Sequence, residues 1–243
     1  MDSNVKEILK ELKNNYFKNE SDDKTKYTYY NLDLSHKDFM IIIQNPGAGK
    51  KKNRERFELA NCKDDEEFIR CCRKWLQIWI EEQGNKDFWS QLIKDVQLIN
   101  KNIRKDNILD YFAISDIIKR RGKTGDVEDF EKDILKKEIE LIKPILILAI
   151  SSRTWNSIKN IFDGDIIKVD NKENININSV SKEHGFLFKL KHQETYIIPL
   201  IHFSNRVRIN SPRNSYFDYM NEGFERFMRQ NDTQTTKSQS TNI

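Results

Sequence analysis

Residues 145 to 150 read Ile-Leu-Ile-Leu-Ala-Ile, an apolar run with no polar residue in it. A strand with no wettable side must be covered on both faces, as in parallel sheets flanked by crossover helices. Three further runs share much of this character: Phe39-Met40-Ile41-Ile42-Ile43, Leu109-Asp110-Tyr111-Phe112-Ala113-Ile114 and Tyr196-Ile197-Ile198-Pro199-Leu200-Ile201. Between and around them, residues 4 to 16, 68 to 80, 88 to 99, 128 to 142, 155 to 162 and 216 to 228 carry apolar side chains at helical spacing. The alternation predicts an α/β protein, three-layer α/β/α, with a central, largely parallel four-stranded sheet. Residues 185 to 190 alternate apolar and polar, and His192-Gln193-Glu194-Thr195 is a hairpin turn by composition, so the last central strand is expected to pair with a neighbour.

A chain of 243 residues suffices for one well-buried core. We expect an N-terminal helix and loop over 1–35, one domain over 36–230, and a disordered tail over 231–243, where no apolar anchor occurs. The three cysteines, Cys62, Cys71 and Cys72, form no CxxC pair, which argues against a disulfide framework, a zinc ribbon or an iron–sulfur site. With no apolar run of about 18 residues and no N-terminal apolar segment, neither membrane span nor signal peptide is expected, and the default is a cytoplasmic monomer. A formal charge of +4 says little by itself. Local clusters say more.

Those clusters follow the strands. The first run leads through Gln44-Asn45-Pro46-Gly47-Ala48-Gly49 into Lys50, Lys51, Lys52, Arg54 and Arg56, and the second through Ser115-Asp116 into Lys119, Arg120, Arg121 and Lys123. The last leads through His202-Phe203-Ser204 into Arg206, Arg208 and Arg213. Ligands of open α/β sheets bind outside the carboxyl ends of the strands, so these segments are expected to share one crevice. An Asn, an Asp and a His in a basic-rimmed crevice suit chemistry on a phosphate-bearing polymer. The blander readings are that Asn45-Pro46-Gly47 makes a tight turn, that Asp116 caps a following helix and that the basic runs are solvated faces.

The glycine-containing segment is not a Walker A loop, because Gln44 stands where that loop needs its first Gly and Lys51 where it needs Ser or Thr. It also looks like the Asn-Pro-x-Ser-Gly strand end of diacylglycerol-kinase-type lipid kinases, but no Gly-Gly-Asp-Gly nucleotide loop accompanies it. Taken together, three segments resemble the uracil-DNA glycosylase superfamily, in particular its mismatch-specific and thymine-DNA glycosylase branch. Residues 43 to 47 are similar to the family's Gly-x-Asn-Pro-Gly motif, residues 114 to 120 to its Thr-Asp-Leu-Val-Lys-Arg segment, and residues 198 to 204 to its final strand and His-Pro-Ser motif. Lys143-Pro144, the apolar strand after it and the Trp155 helix are similar to the family's penultimate strand region, so the likeness spans roughly 36 to 230.

The resemblance implies a monofunctional DNA glycosylase acting on uracil or a modified pyrimidine, with DNA as partner, no metal, no cofactor and a place in base-excision repair. Catalytic roles fall on Asn45 and His202, base binding on Gln44, Gly47, Asp116 and Ser204, and DNA binding on Lys50, Lys51, Lys52, Arg120, Arg121, Arg206, Arg208 and Arg213. Val207 or Ile209 is the candidate wedge for the gap left by a flipped base. Phe203 stands where the family has Pro, and no bulky aromatic follows Asn45-Pro46, so the pocket is expected to admit a substituted pyrimidine. An ionised Asp116 only accepts hydrogen bonds and meets an exocyclic amine better than a carbonyl. The competing readings are a modified-base glycosylase acting against foreign DNA, a non-catalytic nucleic-acid-binding protein of the same fold, and the lipid-kinase-like phosphotransferase.

Overall fold

The computed structural model describes residues 3–16, 37–44, 64–83, 88–118, 127–169, 187–200 and 223–229. Their order is α1 (Ser3–Tyr16), β1 (Phe39–Ile43), α2 (Asp65–Gln83), α3 (Phe88–Val96), α4 (Ile108–Tyr111), β2 (Phe112–Asp116), α5 (Asp129–Ile142), β3 (Leu146–Ile150), α6 (Ser152–Ile161), β4 (Ile166–Lys168), β5 (Phe188–Leu190) and β6 (Tyr196–Leu200). Residues 223 to 229 form a further helix.

One mixed six-stranded sheet, ordered β2-β1-β3-β6-β5-β4, holds the strands. β1 pairs in parallel with β2 and with β3, and β3 in parallel with β6. Every residue of β1, β2, β3 and β6 is buried, which is what their apolar runs require. The sheet is wider than the expected four strands, since β4 and β5 extend it antiparallel beyond β6. β4 left little trace because it is three residues long, with Ile167 and Lys168 exposed, so it has no buried face to reveal by alternation. The β5–β6 hairpin turns at residues 191 to 194, with Leu190 N–H donating to Thr195 O at 2.9 Å.

The second strand also differs from its expectation. Residues 109 to 111 belong to the helical turn α4, and Asp110 is exposed there. A buried strand would have had to bring that carboxylate inside at a cost of several kcal/mol, roughly. The strand begins at Phe112 instead and takes in Ser115 and Asp116, both buried.

Helix boundaries follow local chemistry. The backbone N–H of Glu128 donates to Glu131 Oε2 at 3.0 Å at the start of α5. Lys143 closes that helix with φ of +50°, and Pro144 prevents its continuation. Lys137 on α5 donates to Glu7 at 3.1 Å and to Glu11 at 2.5 Å, which fastens α1 to α5. The hydrogen bond to Glu11 is the main cause of a Lys137 pKa raised above the usual lysine value. Trp155 of α6 meets Phe188 of β5 with ring centroids 4.5 Å apart, and Phe227 of the last helix meets Tyr196 of β6 at 5.7 Å. Cys71 is a half-buried free thiol on α2.

Candidate functional site

The strand registers fix where the chemistry can gather. Ile43 lies opposite Asp116, Ile42 opposite Ala149, and Ile150 opposite Leu200, so the carboxyl ends of β2, β1, β3 and β6 finish level at one edge. From β1 the chain goes to β2 on one side, whereas from β3 it goes on to strands on the other. Neighbouring strands whose connections diverge leave a crevice between them, so the crevice falls at the ends of β1 and β3. Gln44 follows the first of these ends and Ser151 the second.

Gln44 and Asp116, two of the expected base-binding residues, come together here. Asp116 is 2% exposed and is the register partner of Ile43, the residue before Gln44. The ladder continues past both, with Ile117 N–H donating to Ile43 O at 3.0 Å and Ile118 N–H to Gln44 O at 2.9 Å. Ile117 and Ile118 form bends, so Asp116 does not cap a helix beginning at the next residue. The other expected residues, Asn45, Gly47, Lys50, Lys51, Lys52, Arg120, Arg121, His202, Ser204, Arg206, Arg208 and Arg213, lie outside the described residues, as do the wedge candidates Val207 and Ile209.

Two features escaped the sequence reading. Ser115 Oγ donates to Glu138 Oε2 at 2.5 Å, and both residues are buried. Successive strand residues point to opposite faces, so this bond holds β2 to α5 on the face away from the Asp116 side chain. The second feature is Ser151, with φ of 99° and ψ of 154°, a region open in practice to glycine and costing other residues about 1–3 kcal/mol. Its N–H donates to Leu200 O at 2.7 Å, and its Oγ accepts from Thr154 N–H at 3.2 Å as the N-cap of α6. Strain of this kind persists where neighbours over-determine the backbone, and here it sits at the crevice end of the central strand. A Ser before a helical pattern was the available signal for the cap; nothing in the composition signalled the torsion angle.

Among the described residues no group of three or more His, Cys, Asp or Glu could hold a metal ion, and no helix is long and apolar enough to cross a membrane. Fold and site together define a mixed-sheet α/β protein with a strand-order switch at the ends of β1 and β3 and a buried carboxylate beside it. Comparison with known families and with curated proteins gave no significant match for the chain.

Proposed function

We propose that the chain is a monofunctional DNA glycosylase that hydrolyses the N-glycosidic bond of uracil or a modified pyrimidine. The observation that carries this reading is the switch between β1 and β3, because the Asn-Pro-Gly segment that resembles the superfamily's water-activating motif begins directly beyond β1. The family likeness also implies the finer arrangement, a three-layer α/β/α fold around four parallel strands.

Cleavage of an N-glycosidic bond builds positive charge on the sugar and negative charge on the departing base. The carboxamide oxygen of Asn45 accepts a hydrogen bond from a water and aims it at the sugar carbon, while His202 donates to the base as its charge develops. Gln44, Gly47, Asp116 and Ser204 hold the flipped base, and the basic segments hold the phosphates on either side. The chain acts as a monomer and needs no cofactor in this scheme. The direct test is a screen of labelled oligonucleotides, each carrying one candidate base, for alkali-labile abasic sites. DNA binding without any abasic product would replace this reading with the non-catalytic one.

The buried Asp116 beside Gln44 favours a substrate with an exocyclic amine. Asp116→Asn is expected to move preference from cytosine-type bases toward uracil, since the amide supplies a donor that a carboxylate lacks. Ratios of single-turnover rates on the two substrates decide it, and parallel profiles for parent and variant would remove Asp116 from base recognition.

Neutralising Lys50, Lys51 and Lys52 together should flatten the plot of log affinity against log salt by about one unit for each phosphate no longer neutralised. Fluorescence anisotropy over a salt series measures the slope. An unchanged slope would leave these lysines as a solvated face.

A further inference from the structure

A second concave site lies at the opposite edge of the sheet from the crevice. Arg70, Arg73, Lys74 and Gln77 on α2 form one wall, and Asp106, Leu109 and Asp110, just before β2, form the other, around a cavity of about 280 Å³. The spacing of Arg70, Arg73 and Lys74 puts all three cations on one helix face. β2 is five residues long, which separates this hollow from the strand ends at Ile43 and Asp116 by roughly 16 Å.

The wall is built before any ligand arrives. Lys105 Nζ donates to Glu81 O at 2.7 Å, tying the loop to the end of α2. Within the loop, Arg104 N–H donates to Asn107 Oδ1 at 2.6 Å, Asn107 Nδ2 to Asn102 O at 3.1 Å, and Gln97 Nε2 to Ile103 O at 2.9 Å. Ile103 and Ile108 anchor it in the core. Lys37 Nζ adds a fourth cation nearby, donating to Asp110 O at 3.4 Å.

The charges are sorted rather than neutralised. Among the described residues no ion pair joins the three cations of α2 to Asp106 or Asp110, although both sets line one hollow. Arg70 stands at i,i+3 and i,i+4 to Arg73 and Lys74, and like charges at those spacings repel. A solvated face has no need of concavity, of a clamped opposing loop or of carboxylates held apart from it. A cationic wall suits a phosphate, and two carboxylates across an apolar leucine suit hydroxyl or amine donors on the remainder of the same molecule. The volume is near the lower end of small-molecule pockets, about 300 Å³, which suits a ligand of mononucleotide size.

From this we infer that the hollow between α2 and α4 binds a nucleoside monophosphate, its phosphate on Arg70, Arg73 and Lys74 and its sugar or base donors on Asp106 and Asp110. The site is independent of the glycosylase reading. Isothermal titration of the full chain with adenosine monophosphate, and separately with inorganic phosphate, adenosine and a short oligonucleotide, tests it. Saturable binding of the mononucleotide, tighter than that of phosphate or adenosine, is expected. Arg70→Gln with Arg73→Gln should weaken it by about tenfold or more while melting temperature stays unchanged. Asp106→Asn with Asp110→Asn should abolish the preference for the mononucleotide over phosphate. Absence of saturable mononucleotide binding, equal binding of phosphate, insensitivity to the arginine variants, or binding of the oligonucleotide alone would each overturn the assignment.

Discussion

Asn45→Ala is expected to lower single-turnover base excision by about 10²- to 10⁴-fold while DNA affinity and melting temperature stay near those of the parent. The magnitude follows from the proposed role. A carboxamide that orients water acts in the chemical step, and alanine leaves that water without its acceptor. His202→Ala should give a comparable loss if the imidazole donates to the departing base, because that charge exists only as the bond breaks. Rates under enzyme excess separate chemistry from binding. Full activity in Asn45→Ala would remove Asn45 from the chemical step, and a defect in His202→Ala confined to DNA affinity would make the imidazole a phosphate contact.

The other large effect concerns stability. Leu148 is fully buried at the middle of β3, which is flanked by β1 and β6. Leu148→Ala should cost about 2–5 kcal/mol, since neighbours held by two ladders cannot collapse into the space left behind. For a chain of this size that is a fall in Tm of roughly 4–20 °C. Ile167→Ala on β4, where the side chain is 45% exposed, is the matched control and should stay within about 0.5 kcal/mol. Thermal melts of the two variants would contradict the burial of β3 if they moved equally.

What could be read from the residues was what burial on two faces writes into them. β1, β3 and β6 are apolar almost throughout, and each forms a strand within one residue of its run. Where burial is polar the reading failed. Ser115 and Asp116 looked like residues beyond a strand, yet they are its last two positions, since the hydroxyl of Ser115 is satisfied by Glu138 from α5. That partner lies 23 positions away, and no periodicity links the two. Ser151 went unread as the start of α6, and its positive φ accompanies bonds to Leu200 and Thr154, a tertiary condition. The hollow between α2 and α4 was hidden for the same reason, because its cations and carboxylates sit on separate elements that only the fold brings face to face.

The placement of β1 inside the sheet also bears on how the chain is made. β1 is translated before its two partners, β2 ending at Asp116 and β3 at Ile150. At ribosomal speeds of about 5–20 residues per second, the isoleucine-rich ribbon from Phe39 to Ile43 waits on the order of ten seconds before its second flank exists. During that interval it is a sticky, half-clad segment whose fate rests on whatever shields it. Holdase chaperones and slowed synthesis at low temperature should therefore govern the soluble yield of this protein more than the stability of its finished fold.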